Sequence, residues 1–212
     1  MKLRLGIPLL LLLSFAAGKD KIEPDSINIS NGIVESPYFK FHYEFPKGWA
    51  LKDDALRMQQ NRKSHEEGEK NAQAKAKADA QAKPGTTVLS AHALWMYNLF
   101  VAAPDAVPAQ DYPPLPYVHI WALERNGIQD KPGDNAKLLT QIGTMKALRP
   151  LQEQMIGGRK FIRADMAGGK EKAYVSMFDT ASRGYLLFFE FRANDERQMN
   201  DLAKTMESLK FD

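Results

Sequence analysis

Between Tyr38 and Phe45 the chain reads YFKFHYEF, and every second position is apolar. Phe39, Phe41, Tyr43 and Phe45 alternate with Lys40, His42 and Glu44. A period of two marks a strand with one face in a core and the other in water. Pro46 and Gly48 stop it, and Trp49 follows as a large apolar plug. Ahead of it, Ile27, Ile29, Ile33 and Val34 mark a short strand, with Ser30-Asn31-Gly32 as a turn or bulge.

The pattern changes at Asp53. Asp53 or Asp54 can cap a helix, and Leu51, Ala55, Leu56 and Met58 can seat its first turns. Beyond Met58 no large apolar residue occurs until Val88. The intervening Ala, Lys, Gln, Glu and Asn are good helix formers with interspersed charges, the composition of a solvated helix. Pro84-Gly85 ends it. The pattern predicts a long, polar surface helix over about 53–83, broken or weakened near Gly68, that packs at its start and projects into water beyond Met58.

Apolar runs resume at His92–Ala103 and Tyr117–Arg125, both read as strands, with the Pro-rich stretch Pro104–Pro116 between them. From Asp134 to Leu148, Leu138, Leu139, Ile142, Met145 and Leu148 fall on one helical stripe, weakened at Gly143. Gly157-Gly158 sits between two strand pieces as a hairpin turn. KAYVSMFD and GYLLFFEF are strands joined by TASRG. In the second, Tyr185, Leu187, Phe189 and Phe191 form one face and Leu186 and Phe188 the other, so it belongs mid-sheet with both faces covered. Asn194 or Asp195 caps a closing helix whose inner stripe is Met199, Leu202, Ala203, Met206 and Leu209.

The strands before the polar segment offer one aromatic face, too little for a core of their own. They are expected to join the later strands, which makes residues 19–212 a single domain and the polar segment an insertion in it. Deleting Gln59–Lys83 is then expected to leave the fold intact. The fold class is α+β: a three-layer α/β/α sandwich around a mainly antiparallel central sheet.

Composition alters this picture at the N-terminus. Lys2 and Arg4, an apolar run from Ile7 to Phe15, and Ala16-Ala17-Gly18 form a signal peptide over residues 1–18. The run is shorter than the roughly 20 residues a membrane span needs. Cleavage removes those two cations and no acid, so the formal charge of +3 falls to +1. No electrostatic case for nucleic acid or an anionic membrane remains, nor is a stable membrane anchor expected after cleavage. The chain has no cysteine, which removes thiol nucleophiles, Cys-ligated zinc and redox pairs. The expected location is periplasmic or extracellular.

Three stretches, FKFHYEFPKGW, GGRKFIRADM and GYLLFFEFRANDERQMNDLAKTMESLKF, resemble the Mog1/PsbP-like superfamily. The first matches its strand and Gly-Trp start, the second the hairpin after its middle helix, the third its closing strand and helix. The resemblance implies the α/β/α sandwich and a non-enzymatic role. Such proteins include extrinsic subunits of photosynthetic water oxidation, a nuclear transport factor acting on a small GTPase, and exported bacterial proteins of unknown role. No functional residue carries over, and the polar helix and the Pro-rich stretch depart from the family layout.

Candidate chemistry is sparse. Trp95, Tyr117, His119 and Trp121 can line an aromatic ligand pocket, or His119 can be a structural histidine. His65 and Glu69 stand four apart on the polar helix, but two ligands do not make a metal site and H-E-x-x-H is absent. His42 and His92 lie on or beside strands. Asp165 and Asp179 can be drawn as an acid/base pair, or as solvated strand-end acids. There is no G-x-S-x-G, and the Gly-Gly-Lys of AGGKEKA lacks the Walker spacing. Asn28-Ile29-Ser30 is a formal glycosylation sequon. The Pro-rich stretch is a stiff connection or an extended recognition segment. No catalytic residue, cofactor or metal is assigned. The expected function is an exported binding or accessory protein with a protein partner in the envelope. The alternatives are a small-ligand carrier with an aromatic pocket, or a hydrolase with a site near His119 or Asp165.

Overall fold

The structure, a computed structural model, describes residues 22–51, 54–81, 96–107, 113–125 and 131–212. The segment 1–18, Asp53, Pro84, Gly85, His92, Trp95 and the middle of the Pro-rich stretch lie outside the described residues.

In chain order the strands begin with β1 (Asn28–Ser30), β2 (Ile33–Ser36), β3 (Phe41–Glu44) and β4 (Trp49–Leu51). Helix α1 (Asp54–Gln81) leads to β5 (Met96–Pro104) and β6 (Tyr117–Glu124). Then come α2 (Asp134–Gln141), β7 (Met145–Ala147), β8 (Gln152–Ile156), β9 (Arg159–Gly168), β10 (Ala173–Ser182) and β11 (Tyr185–Ala193). Helix α3 (Glu196–Ala203), a 3-10 turn (Lys204–Ser208) and β12 (Lys210–Phe211) close the chain. Among the described residues every strand pairing is antiparallel.

Tight turns set the registers. Arg183-Gly184 and Gly157-Gly158 join their hairpins with both residues at positive φ, the two-residue geometry whose twist matches the flanking strands. TASRG therefore contains a shorter turn than its composition implies, and β10 runs on to Ser182. At Gly157 a side chain is excluded twice over, since a Cβ would sit 2.8 Å from the Leu209 carbonyl oxygen. Of Ser30-Asn31-Gly32, Ser30 ends β1 and Asn31-Gly32 forms the two-residue turn into β2.

The large sheet runs β4-β5-β6-β11-β10-β9-β7, with β8 paired to the other end of β9. β11 lies between β6 and β10 and is buried on both faces, as its apolar run requires. β4 brings Trp49–Leu51 onto β5, so early chain does join late chain. The rest of the early chain does something else. β1, β2 and β3 form a separate four-stranded sheet, completed by β12 from the C-terminus.

This second sheet is an element that the sequence did not predict, and it shares the inner face of the large sheet with α3 while α2 lies on the outer face. The inner face of the large sheet is covered by β2 and β3 as well as by α3. Phe39, Phe41, Tyr43 and Phe45, the alternating set, are all buried there. Phe41 and Tyr43 meet Phe189 edge-on at 5.5 and 5.9 Å, the arrangement ring quadrupoles prefer. Asp195 caps α3 by accepting from the Gln198 N–H, and Met199, Leu202, Ala203, Met206 and Leu209 are buried against the same core. The helix tightens into the 3-10 turn after Ala203, so the inner stripe extends past its end.

A second apolar cluster lies on the outer face, under α2. It includes Ala136, Met145, Met166, Val175, Met177, Leu186 and Phe188. The stripe predicted over Leu138–Leu148 is corrected here. α2 stops at Gln141, Gly143 turns at φ +74°, and Met145 belongs to β7. Leu138 and Ile142 are left 53 % and 62 % exposed, so periodicity across a glycine break misjudged them.

α1 is also corrected. Met58, expected to seat it, is 39 % exposed, whereas the polar Arg57 and Asn61 are 6 % and 2 % exposed. The helix docks by its polar residues.

Candidate functional site

α1 meets β5 through Arg57, Asn61 and His65, spaced four apart and therefore stacked on one helical face. The Asn61 side-chain amide donates to the Asn98 carbonyl at 3.0 Å and accepts from the Asn98 N–H at 2.9 Å. It thus occupies both hydrogen-bonding groups of a backbone residue, as a neighbouring strand would. The β5–β6 register shifts between Asn98 and Phe100, at this same place. Arg57 donates to the carbonyls of Asp25 and Asn98, both at 3.1 Å. The His65 ring packs edge-on to Tyr97 at 4.6 Å.

Asn98 continues the polar contacts to the outer face of the large sheet. Its Oδ1 lies 2.9 Å from His119 Nε2. Tyr117, His119 and Trp121 alternate along β6 and share that face. His119 is 6 % exposed, and burial pulls its pKa down to about 4, against the opposing pull of Glu190. The imidazole is therefore neutral at physiological pH. Its 4.0 Å approach to Glu190 Oε2 is a contact of a neutral ring with a carboxylate.

Glu190 and Arg192 stand two apart on β11, facing the same way. Glu190 Oε1 accepts from Arg192 Nε, and Oε2 accepts from Trp121 Nε1 at 3.3 Å. Arg192 also reaches Glu171 at 3.2 Å and lies over the Tyr117 ring. Burial alone would lower the guanidinium's pKa, but Glu190, Tyr117 and Glu171 outweigh it and the pKa rises. Trp121 stacks on Phe188 with centroids 3.8 Å apart and planes 8° from parallel. Beside it opens a groove of about 440 Å³, walled by Leu139, Met145, Met166 and Met177 and rimmed by Arg192 and Lys170. That volume suits a small ligand or one or two side chains of a partner.

The sequence-selected residues separate here. Trp121 borders the groove, while Tyr117 and His119 are closed in behind it at 2 % and 6 % exposure. His42 is elsewhere, on β3, between Glu35 and Asp212, whose hydrogen bond raises its pKa. Among the described residues no three His, Asp or Glu side chains cluster as a metal site.

Asp165 and Asp179 are buried at 1 % and 0 % exposure, which corrects their reading as solvated acids. They do not meet. Ser176 opposes Asp165 in the ladder, so Asp179, three residues on, points to the opposite face. Asp165 accepts from Ser176 Oγ at 2.6 Å and Arg163 Nε at 2.9 Å, and Arg149 Nε lies 3.1 Å away. Through Glu196 and Asn200 the same arginines tie β9 to α3. Asp179 accepts the Gly133 N–H at 2.7 Å where α2 begins, and burial raises its pKa to about 6.

Sequence reasoning missed Glu190, Arg192, Asn98, Arg57 and Asn61. A signal existed for the first two: in GYLLFFEFR they continue the Leu186–Phe188 face, so an acid and a base lie together on a strand buried on both sides. Asn61 left no such trace, because its partner is a backbone.

The site is a polar-backed groove on one face of a two-sheet, mainly antiparallel α+β protein. No family model matches the chain, and no curated protein sequence matches it. The solved structure of cyanobacterial PsbP (CyanoP) from a Synechocystis species is similar to this chain, with a TM-score of 0.45 and 10 % identity over 94 % of this chain and 99 % of that one. A likeness of that degree says nothing of function.

Proposed function

We propose that this chain is an exported, non-enzymatic accessory protein of the cell envelope. On this reading residues 1–18 are removed, residues 19–212 act as one domain, and contacts with a protein partner do the work. The distal part of α1 is then a solvated arm, and α/β/α layering holds around the large sheet. The groove beside Trp121 carries the proposal, because it pairs an apolar wall with a charged rim while the ionisable groups behind it are already bound to one another. Such a surface is suited to recognition. No helix among the described residues is long and apolar enough to cross a membrane.

A second reading, a small-ligand carrier, draws on the same groove, whose volume also fits a compact ligand. One experiment separates them. A photo-crosslinking residue is placed at Lys170, on the groove rim, in the full chain expressed in its own envelope, with Asp201 on α3 as the control position. One defined protein captured from 170 and lost with Trp121→Ala supports the accessory role. A tightly copurifying small molecule without protein capture supports the carrier. N-terminal sequencing of the mature chain tests export, with Lys19 as the expected first residue.

A further inference from the structure

β8 is an edge. It pairs with β9 from Gln152 opposite Arg163 to Ile156 opposite Arg159, and has no second strand neighbour among the described residues. Natural edges are commonly guarded by Lys, Pro or extreme shortness. β8 has five residues, neither Lys nor Pro, and one acid, Glu153, whose charge is engaged by Lys160 at 2.7 Å. Met155 is 70 % exposed and Leu151, just ahead of the strand, 39 %.

The outer face beside this edge is cationic and hollow. The β9–β10 ladder ends at Ile162 opposite Asp179, beyond which the two strands part. Thr180 Oγ1 donates to the Lys160 carbonyl at 2.8 Å and Arg159 donates to Ser182 Oγ at 2.9 Å, bridging the gap. The opening is a solvent-facing cleft of about 620 Å³, with Pro132, Ile162 and Ala181 as an apolar base and three cations, Lys131, Arg159 and Lys160, against the single carboxylate of Glu153 around it. Burial and the Arg183 charge both lower the pKa of Arg159, the mark of guanidinium groups set near one another.

We propose that β8 receives an extended, acidic segment of a partner protein by strand addition. That the occupant is a protein rests on the accessory reading above; the edge and the cleft stand independently of it. The segment's backbone fills the free hydrogen-bonding edge of β8, and alternate side chains fall on the outer face. There an apolar residue covers Met155, and neighbouring carboxylates face Lys160 and Lys131. The cleft is open along its length, which lets a chain enter and leave.

The test uses the mature chain and a short fluorescein-labelled peptide, Glu-Thr-Val-Thr-Glu-Thr, whose alternate positions place carboxylates on either side of one valine on the same face, with Lys-Thr-Val-Thr-Lys-Thr as control. Anisotropy measures binding, and amide hydrogen exchange reports which strand is covered. The expected result is binding of the glutamate peptide alone, with protection gained at Gln152–Ile156. The double variant Lys131→Glu/Lys160→Glu, shown to be folded by circular dichroism, should weaken it about tenfold or more. The proposal is overturned by unchanged affinity in that variant, by binding without protection of β8, by equal binding of both peptides, or by no binding at all. Concentration-dependent dimerisation that protects β8 without peptide also overturns it, since the edge then serves a second copy. A partner crosslinked at Lys170 while β8 stays unprotected would sink this inference and leave the accessory role standing. A peptide bound at β8 with no partner captured from the envelope would do the reverse.

Discussion

The two faces of the large sheet are built on opposite terms. The inner face is closed by Phe39, Phe41, Tyr43 and the α3 stripe around the fully buried ring of Phe189, and its buried acid, Asp165, sits aside from those rings with Ser176, Arg163 and Arg149 beneath α3. The outer face buries comparable strands but carries His119, Glu190, Arg192 and Asp179 among its apolar residues. A face made of rings is held by area removed from water and tolerates no hole. A face that buries charges is held only while each charge keeps its partner, and it leaves grooves where partners replace close packing. The closed aromatic core lies on the first and the groove on the second.

The contrast can be broken at four places. Phe189→Ala empties the inner core and should cost about 3–5 kcal/mol, seen as a large fall in the thermal midpoint or loss of cooperative unfolding. A midpoint within a few degrees of the parent would show that the inner face does not dominate.

On the outer face the sign reverses for Asp179. Its pKa rises from 3.8 to about 6 in the fold, so its protonated form is the one that suits the native state. Its contribution is fully present below the unfolded value and is lost as pH climbs through about 6. Asp179→Asn keeps an oxygen for the Gly133 N–H and removes the charge. It should add about 2–3 kcal/mol at neutral pH and abolish the decline between mildly acidic and neutral conditions, read from urea unfolding across that range. A variant that keeps the parent's pH slope would mean another group is responsible.

Next in size is the polar docking of α1. Asn61→Ala strands the Asn98 N–H and leaves its carbonyl to Arg57 alone; it should cost about 1–3 kcal/mol, whereas Met58→Ala, at an exposed position, should cost little. The reverse order in chemical denaturation would restore apolar seating of the helix. The same contacts argue that deleting Gln59–Lys83 is not silent, and that a harmless cut must begin beyond His65.

The smallest effect belongs to His42, half-exposed between Glu35 and Asp212. Its raised pKa means that its contribution is present below the ordinary histidine value and fades as pH rises through the folded one. His42→Ala should shift stability by under about 0.5 kcal/mol even at acidic pH, as exposed ion pairs do. A loss comparable with that of Asn61→Ala would make the β3–β12 link more than a surface tie.

Much of the architecture is legible where local pattern and burial agree. The alternation of Phe39–Phe45, the two-sided apolar run of β11, the Gly157-Gly158 hairpin and the buried α3 stripe all depend on spacing within one segment. Errors arise where a glycine interrupts that spacing, as at Gly143, or where a polar residue is buried. Arg57 and Asn61 look solvated in the sequence because hydrophobic patterning cannot register a side chain that bonds to another segment's backbone. Of the pocket proposed from Trp95, Tyr117, His119 and Trp121, Trp121 reaches the groove, and its rim comes from β11 and the β9–β10 turn.

By itself the sequence determined the strands, their facing, their hairpins and the cysteine-free chemistry, since propensity and period act over a few residues. Only the tertiary structure decided that β12 would complete a second sheet, that Asn61 would stand in as a strand for Asn98, and that Glu190 and Arg192 would back a groove. These depend on which distant segments come to lie within hydrogen-bonding distance, and a short-range bond between residues far apart in the chain leaves no period to read.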